Sequence, residues 1–234
     1  MTAEPRFTSS LHANARFVAQ RLLLKPLVWS LTRVTVTGRE RLSGVTGPYI
    51  VVANHQSHLD APLVVGAMPR RLSRYLAAGV AADYFFDVPA RRIFAALFFN
   101  AFPVDRSGDR KRAGVSRQLL ESGVPILIFP EGGRSRTGEL GRFKPGAAAL
   151  ATRQGIPCLP VAVLGTHSAM PKGRNWPVPG RPPVRVVFGQ PIHPQPNETP
   201  VQLMDRVVAE IVALRASVEP GAHVSIDTPR KEAG

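Results

Sequence analysis

Apolar positions change their period along this chain. Alternation in Arg33-Val-Thr-Val-Thr-Gly38 predicts a half-buried strand, whereas the continuous run Tyr49-Ile-Val-Val-Ala53, bounded by Gly47-Pro48 and Asn54, predicts a strand covered on both faces. Further apolar runs at 124–129, 159–164 and 184–188 each adjoin a Pro or Gly breaker, with helix-length segments between most of them. Strands alternating with helices indicate an α/β fold with a mixed, largely parallel central sheet flanked by helices. The last helix is the best delimited. Thr199 stands at a cap, Pro200 in the first turn and Gln202 three positions on, before Met204, Val207, Val208 and Ile211 recur at helical spacing.

Residues 7–32 follow another pattern. Phe7, Leu11, Val18 and Leu22 lie near helical spacing, with Arg16, Arg21 and Lys25 among them before Pro26 and Trp29. This predicts a basic amphipathic helix, which either packs on the core of the domain or lies in a membrane interface with its cations toward anionic lipid. The expected organisation is an N-terminal amphipathic helical segment at 1–32, a single domain at 33–218 and a flexible tail at 219–234. Residues 171–196, rich in Pro, Gly and Arg, should form a long ordered loop around one strand.

Composition narrows the class. With 234 residues and 44% hydrophobic content, the chain can bury a core without disulfides or metals. A lone Cys158 excludes an internal disulfide framework and any multi-cysteine zinc site, and with no secretory cleavage pattern it favours a reducing, cytosolic setting. No apolar stretch reaches the roughly 20 residues of a transmembrane span. The 30 Lys and Arg against 16 Asp and Glu give a net charge of +14, which draws polyanions: nucleic acid, an anionic bilayer or phosphorylated small molecules. No zinc-finger spacing or RNP-like aromatic motif supports nucleic acid as a specific partner.

Three motifs carry candidate chemistry. Asn54-His-Gln-Ser-His-Leu-Asp60 directly follows the 49–53 strand. Five residues apart, His55 and Asp60 point in different directions on a helix or a strand, so only a turn can join them. Joined, Asp60 would fix the tautomer of His55 and leave its other nitrogen to accept a proton. Alternatively Asp60 caps a helix and His55 satisfies loop carbonyls; His58 is a rival base, and Ser57 a rival nucleophile. Phe129-Pro-Glu-Gly-Gly-Arg-Ser-Arg136 places Glu131, the flexible Gly132 and Gly133, and the cations Arg134 and Arg136 after a second strand, which fits phosphate or oxyanion binding, or else a plain surface turn. Asn100-Ala-Phe-Pro-Val-Asp-Arg106 ends a segment rich in phenylalanine, setting a cation beside apolar surface. Phe85, Phe86, Phe94, Phe98 and Phe99 either fill the core or line an acyl tunnel.

Together these motifs resemble the PlsC-like lysophosphatidic acid acyltransferases. The family's His-X4-Asp motif is matched by His55 and Asp60, its arginine motif by Phe102-Pro-Val-Asp-Arg106, its Phe-Pro-Glu-Gly-Thr-Arg motif by Phe129 to Arg134, and its proline-bearing fourth motif by Leu159-Pro-Val-Ala-Val163. Gly133 departs from the family's usual Thr. The resemblance implies transfer of a fatty acyl group from an acyl-CoA or acyl carrier protein thioester to a lysophospholipid hydroxyl, with no metal or other cofactor. It assigns His55 as general base and Asp60 as its orienting partner. Arg106 and Arg134 would hold the acceptor's phosphate, and Glu131 and the backbone at Gly132 its polar head. Relatives also acylate lyso-ornithine lipid or glycerol phosphate. The implied location is peripheral, on the cytoplasmic face of the cell membrane.

Overall fold

The apolar run at 50–53 is an inner strand of the sheet, and all four residues are fully buried. A computed structural model describes residues 4–81, 89–104 and 110–218. The chain begins with α1 (Pro5–Thr8), α2 (Ser10–Ala19), a π-helical turn at Gln20–Leu24 and α3 (Lys25–Leu31). Strand β1 (Arg33–Thr37), a 3₁₀ turn at Arg39–Leu42 and β2 (Ile50–Ala53) follow, then α4 (Asp60–Ala67), α5 (Arg70–Ser73) and β3 (Ala77–Ala81). Next come α6 (Pro89–Phe99), β4 (Phe102–Val104), α7 (Arg110–Glu121), β5 (Ile126–Ile128), α8 (Gly146–Gln154) and β6 (Cys158–Leu164). The chain closes with α9 (Thr166–Ala169), β7 (Pro183–Phe188) and α10 (Pro200–Ala216).

One seven-stranded sheet has the order β1-β7-β6-β2-β5-β3-β4. Every pairing is parallel except β6 with β7, so the sheet is mixed and largely parallel as the pattern predicts. Alternate residues feed two cores. Val51 and Ala53 pack with Leu63 and Val64 of α4, while Ile50 and Val52 pack with Ala147 and Ala151 of α8 and Leu203 and Val207 of α10. Helices on both faces explain why β2 reads as a continuous apolar run. The capping box of α10 is present: the Thr199 side chain accepts from Gln202 N at 3.3 Å and Gln202 Oε1 accepts from Thr199 N at 2.9 Å.

Two strands escape the sequence pattern. β3, Ala-Ala-Gly-Val-Ala, has weak strand propensity, and a Cβ at Gly79 would meet Val104 Cγ2 at 2.6 Å, so the glycine is what lets β4 approach. β4 carries Pro103, which cannot donate to a ladder and is tolerated because β4 is the sheet edge.

The N-terminal segment both packs and projects. Phe7, Ala13, Ala19 and Val28 are buried, while Leu11, Val18, Leu22, Leu23 and Leu27 are exposed, Leu11 by 76%. Ile93, Phe94 and Leu97 of α6, the helix against which α2 packs, are exposed as well. The cations depart from the amphipathic expectation. Arg16 is buried and donates Nη1 to the Arg6 carbonyl at 3.1 Å, and Lys25 donates Nζ to the Gly66 carbonyl at 2.9 Å. Both tie helices together through backbone oxygens; of the three, Arg21 alone is exposed. Among the described residues no helix is long and apolar enough to cross a membrane.

Candidate active site

The chain leaving β2 turns onto one face of the sheet as α4, whereas the chain leaving the adjacent parallel strand β5 crosses to the other face as α8. Diverging connections open a crevice at the carboxyl ends of neighbouring parallel strands. The His55 and Glu131 motifs occupy that edge.

Asn54 pins the first turn. Its side chain donates Nδ2 to the Val163 carbonyl and accepts from Val163 N, both at 2.8 Å, extending the β2–β6 ladder past the end of β2. The chain then folds around one carboxylate oxygen. Asp60 Oδ2 accepts from Gln56 N at 2.6 Å and Ser57 N at 2.8 Å, and lies 2.8 Å from His55 Nδ1. Asp60 therefore does not cap α4, whose N-cap is Leu59 without a side-chain bond. Its carboxylate points back into the turn.

Asp60 is fully buried and the His55 side chain is 20% exposed, so the pair is anchored at one end and reachable at the other. With Nδ1 donating to the carboxylate, Nε2 carries the imidazole lone pair. The ring stacks on Phe129, with centroids 4.2 Å apart and planes at 20°.

Glu131 joins the two motifs. Its Oε1 accepts from His55 N at 2.7 Å and its Oε2 from Gly141 N at 3.0 Å. Burial raises its pKa, opposed by these two amides and by the neighbouring His55. Ser135 N donates to the His55 carbonyl at 2.8 Å, a second strap across the same gap. Gly132, at φ +72°, donates its amide to the Phe129 carbonyl at 3.2 Å, closing the turn that presents Gly133 and Arg134.

The rivals for the chemistry are otherwise engaged. Ser57 is fully buried and donates its hydroxyl to the Met170 carbonyl at 2.7 Å. Burial, then the charges of Arg134 and His55, hold the His58 imidazole down at about 4. Arg134, half-buried, is close enough for its charge to act on the His58 ring. Arg106 lies outside the described residues, as do Phe85 and Phe86. Phe99 is in the core, Phe98 is half-buried against it and Phe94 is 45% exposed. Sequence reading misses the stacking role of Phe129, although Phe129 opens a motif it singles out, and the amide of Gly141, which lies five residues beyond that motif. Among the described residues no cluster of His, Cys, Asp and Glu suits a metal ion.

A family model described as Acyltransferase matches residues 33–164, more than half of the chain and inclusive of every motif residue above. The chain belongs to the acyltransferase family. One member, a 1-acyl-sn-glycerol-3-phosphate acyltransferase of Pseudomonas aeruginosa, is 30% identical over 225 residues, covering 89% of this chain and 80% of that protein. A 1-acyl-sn-glycerol-3-phosphate acyltransferase of Chlamydomonas reinhardtii is 32% identical over 166 residues, covering 70% of this chain and 48% of its own. The chain spans about half the length of that relative and of chloroplastic ones from Arabidopsis thaliana and Brassica napus, 45% and 47% of which are covered. The crystal structure of the acyltransferase PlsC from Thermotoga maritima, described as acting on 1-acyl-sn-glycerophosphate, superposes with a TM-score of 0.69 at 26% identity, covering 89% of this chain and 85% of that one. In this chain the His55–Asp60 pair follows the carboxyl end of the inner strand β2.

Proposed function

We infer that this protein transfers a fatty acyl group from a thioester to the free hydroxyl of 1-acyl-sn-glycerol 3-phosphate, giving phosphatidic acid. The observation that carries this reading is the His55–Asp60 pair, Nδ1 and Oδ2 2.8 Å apart, at the crevice of an acyltransferase sheet. An alcohol is too weakly acidic to ionise before attack. As its oxygen bonds to the thioester carbonyl, His55 Nε2 removes its proton, and buried Asp60 stabilises the imidazolium that forms. The tetrahedral intermediate collapses with loss of the thiolate, and the proton held by His55 leaves with it. General-base assistance of this kind contributes about 10²–10⁴-fold.

Arg134, with Arg106, binds the acceptor's phosphate. The support for Arg134 is its charge acting on His58, three residues from His55, and its place at the end of a glycine turn. Glu131 acts differently from a direct ligand of the polar head: with both oxygens on backbone amides, it fixes the loops that hold the base and the arginine in register. The donor is acyl-CoA or acyl carrier protein. The exposed leucines of α2 and α3, with Ile93, Phe94 and Leu97, support peripheral attachment to a membrane on the cytoplasmic face, where the acceptor resides.

A panel of acceptors with one acyl thioester tests the reading. Phosphatidic acid should form from the lysophosphatidate and be suppressed by Arg134→Gln. Acylation of lyso-ornithine lipid with none of phosphate-bearing acceptors would remove the phosphate role.

A further inference from the structure

The loop between α9 and β7 carries a feature the acyl-transfer chemistry leaves unused. Residues 171–183 contain Lys172, Arg174 and Arg181, five prolines, the last of which opens β7, and Trp176. Trp176 is 63% exposed, flanked by exposed Lys172 and Arg174. No acidic residue occurs anywhere between Glu139 and Glu198.

 The prolines of this stretch are Pro171, Pro177, Pro179, Pro182 and Pro183.

Its two ends are fastened to different parts of the molecule. At the start, the Met170 carbonyl accepts from Ser57 Oγ, within the turn that holds His55, and Val178 N returns to the Ala169 carbonyl at 2.8 Å. At the far end, Arg181 donates Nη2 to the Trp29 carbonyl at 3.1 Å, joining the loop to the end of α3, two residues past exposed Leu27. The loop therefore bridges the apolar stripe of the N-terminal helices and the rim of the His55 turn. Prolines and these bonds hold Trp176 outward, so little ordering is lost when it is buried elsewhere. A tryptophan beside cations, in a stretch of sequence without an acid, suits the headgroup level of an anionic bilayer, where the indole sits between water and acyl chains.

We propose that the Trp176 loop is a second bilayer contact, which inserts its indole among anionic lipid headgroups and turns the mouth of the His55 crevice toward the membrane. It rests on the reading that the acceptor comes from a lipid surface, but it is tested without turnover.

The chain has two tryptophans, so Trp29→Phe leaves Trp176 as the sole emitter and Trp176→Phe leaves Trp29. Each full-length variant is mixed with vesicles of brominated phosphatidylcholine containing roughly a third phosphatidylglycerol, and with vesicles lacking the anionic lipid. Trp176 emission should shift to the blue and be quenched on the anionic vesicles only. Lys172→Gln and Arg174→Gln should each weaken vesicle binding roughly five-fold. If Trp29→Phe fails to fold, subtracting the quenching of Trp176→Phe from that of the unaltered protein gives the same quantity. Unquenched Trp176 in protein that still sediments with vesicles overturns the proposal and leaves acyl transfer standing. A shift produced by acidic carrier protein and not by vesicles also overturns it. Quenching without acyl transfer to any acceptor would sink the functional reading alone.

Discussion

Nδ1 of His55 lies 2.8 Å from Oδ2 of Asp60, and the same oxygen accepts the amides of Gln56 and Ser57. One buried atom thus shapes the turn and aims the His55 ring. Replacing Asp60 by Asn puts a neutral amide where three donors converge. Activity should fall by about 10²–10⁴-fold, because the imidazolium loses its counter-charge and the tautomer its lock. Stability should fall by about 1–3 kcal/mol through the weakened amide bonds. Steady-state kinetics and urea unfolding check both, and wild-type turnover in Asp60→Asn would contradict the assignment.

Glu131 spans the gap between the loops after β2 and β5 through His55 N and Gly141 N. Gln at this position keeps one acceptor and turns an NH₂ group toward the other amide. The variant should lose about 1–3 kcal/mol of stability and show a lower kcat with a smaller change in KM for the acceptor. A large rise in KM at unchanged kcat would instead mark Glu131 as a direct acceptor ligand.

His58 makes folding sensitive to acid. Burial first, and then Arg134 and His55, depress its pKa from 6.5 to about 4. Between those values the unfolded chain binds a proton that the folded chain does not, so stability is full above about 6.5 and declines as pH falls toward about 4. Urea midpoints measured across this window should fall more steeply for the unaltered protein than for His58→Gln. Parallel curves would show that His58 is not depressed.

The exposed leucines separate attachment from folding. Leu11→Ser, Val18→Ser and Leu22→Ser together should change stability by no more than about 0.5 kcal/mol per site, since these side chains already face solvent. Sedimentation with anionic vesicles should drop while acyl transfer to a water-soluble short-chain acceptor persists. Unchanged sedimentation would remove this face from the membrane contact.

Much of this architecture is legible in the sequence because burial on both faces writes β2, β5 and β6 as apolar runs bounded by Gly, Pro or Asn. β3 and β4 are not legible: the first is built of small residues around Gly79, the second is an edge strand containing Pro103, and neither shows a period. The positions of His55 and Asp60 follow from their motif, since a turn is the one geometry that unites them. The destination of Glu131 does not, because its partners are backbone amides at 55 and 141, which no side-chain pattern records. The inward turn of Arg16 and Lys25 is likewise hidden, as their acceptors are the carbonyls of Arg6 and Gly66.

The most direct test of the account is the rate at which thiol is released from an acyl thioester in the presence of 1-acyl-sn-glycerol 3-phosphate, compared between the unaltered chain and His55→Ala of equal unfolding midpoint. The account predicts a fall of about 10²–10⁴-fold with acceptor binding retained. A folded His55→Ala protein that releases thiol and forms phosphatidic acid at the unaltered rate would contradict it.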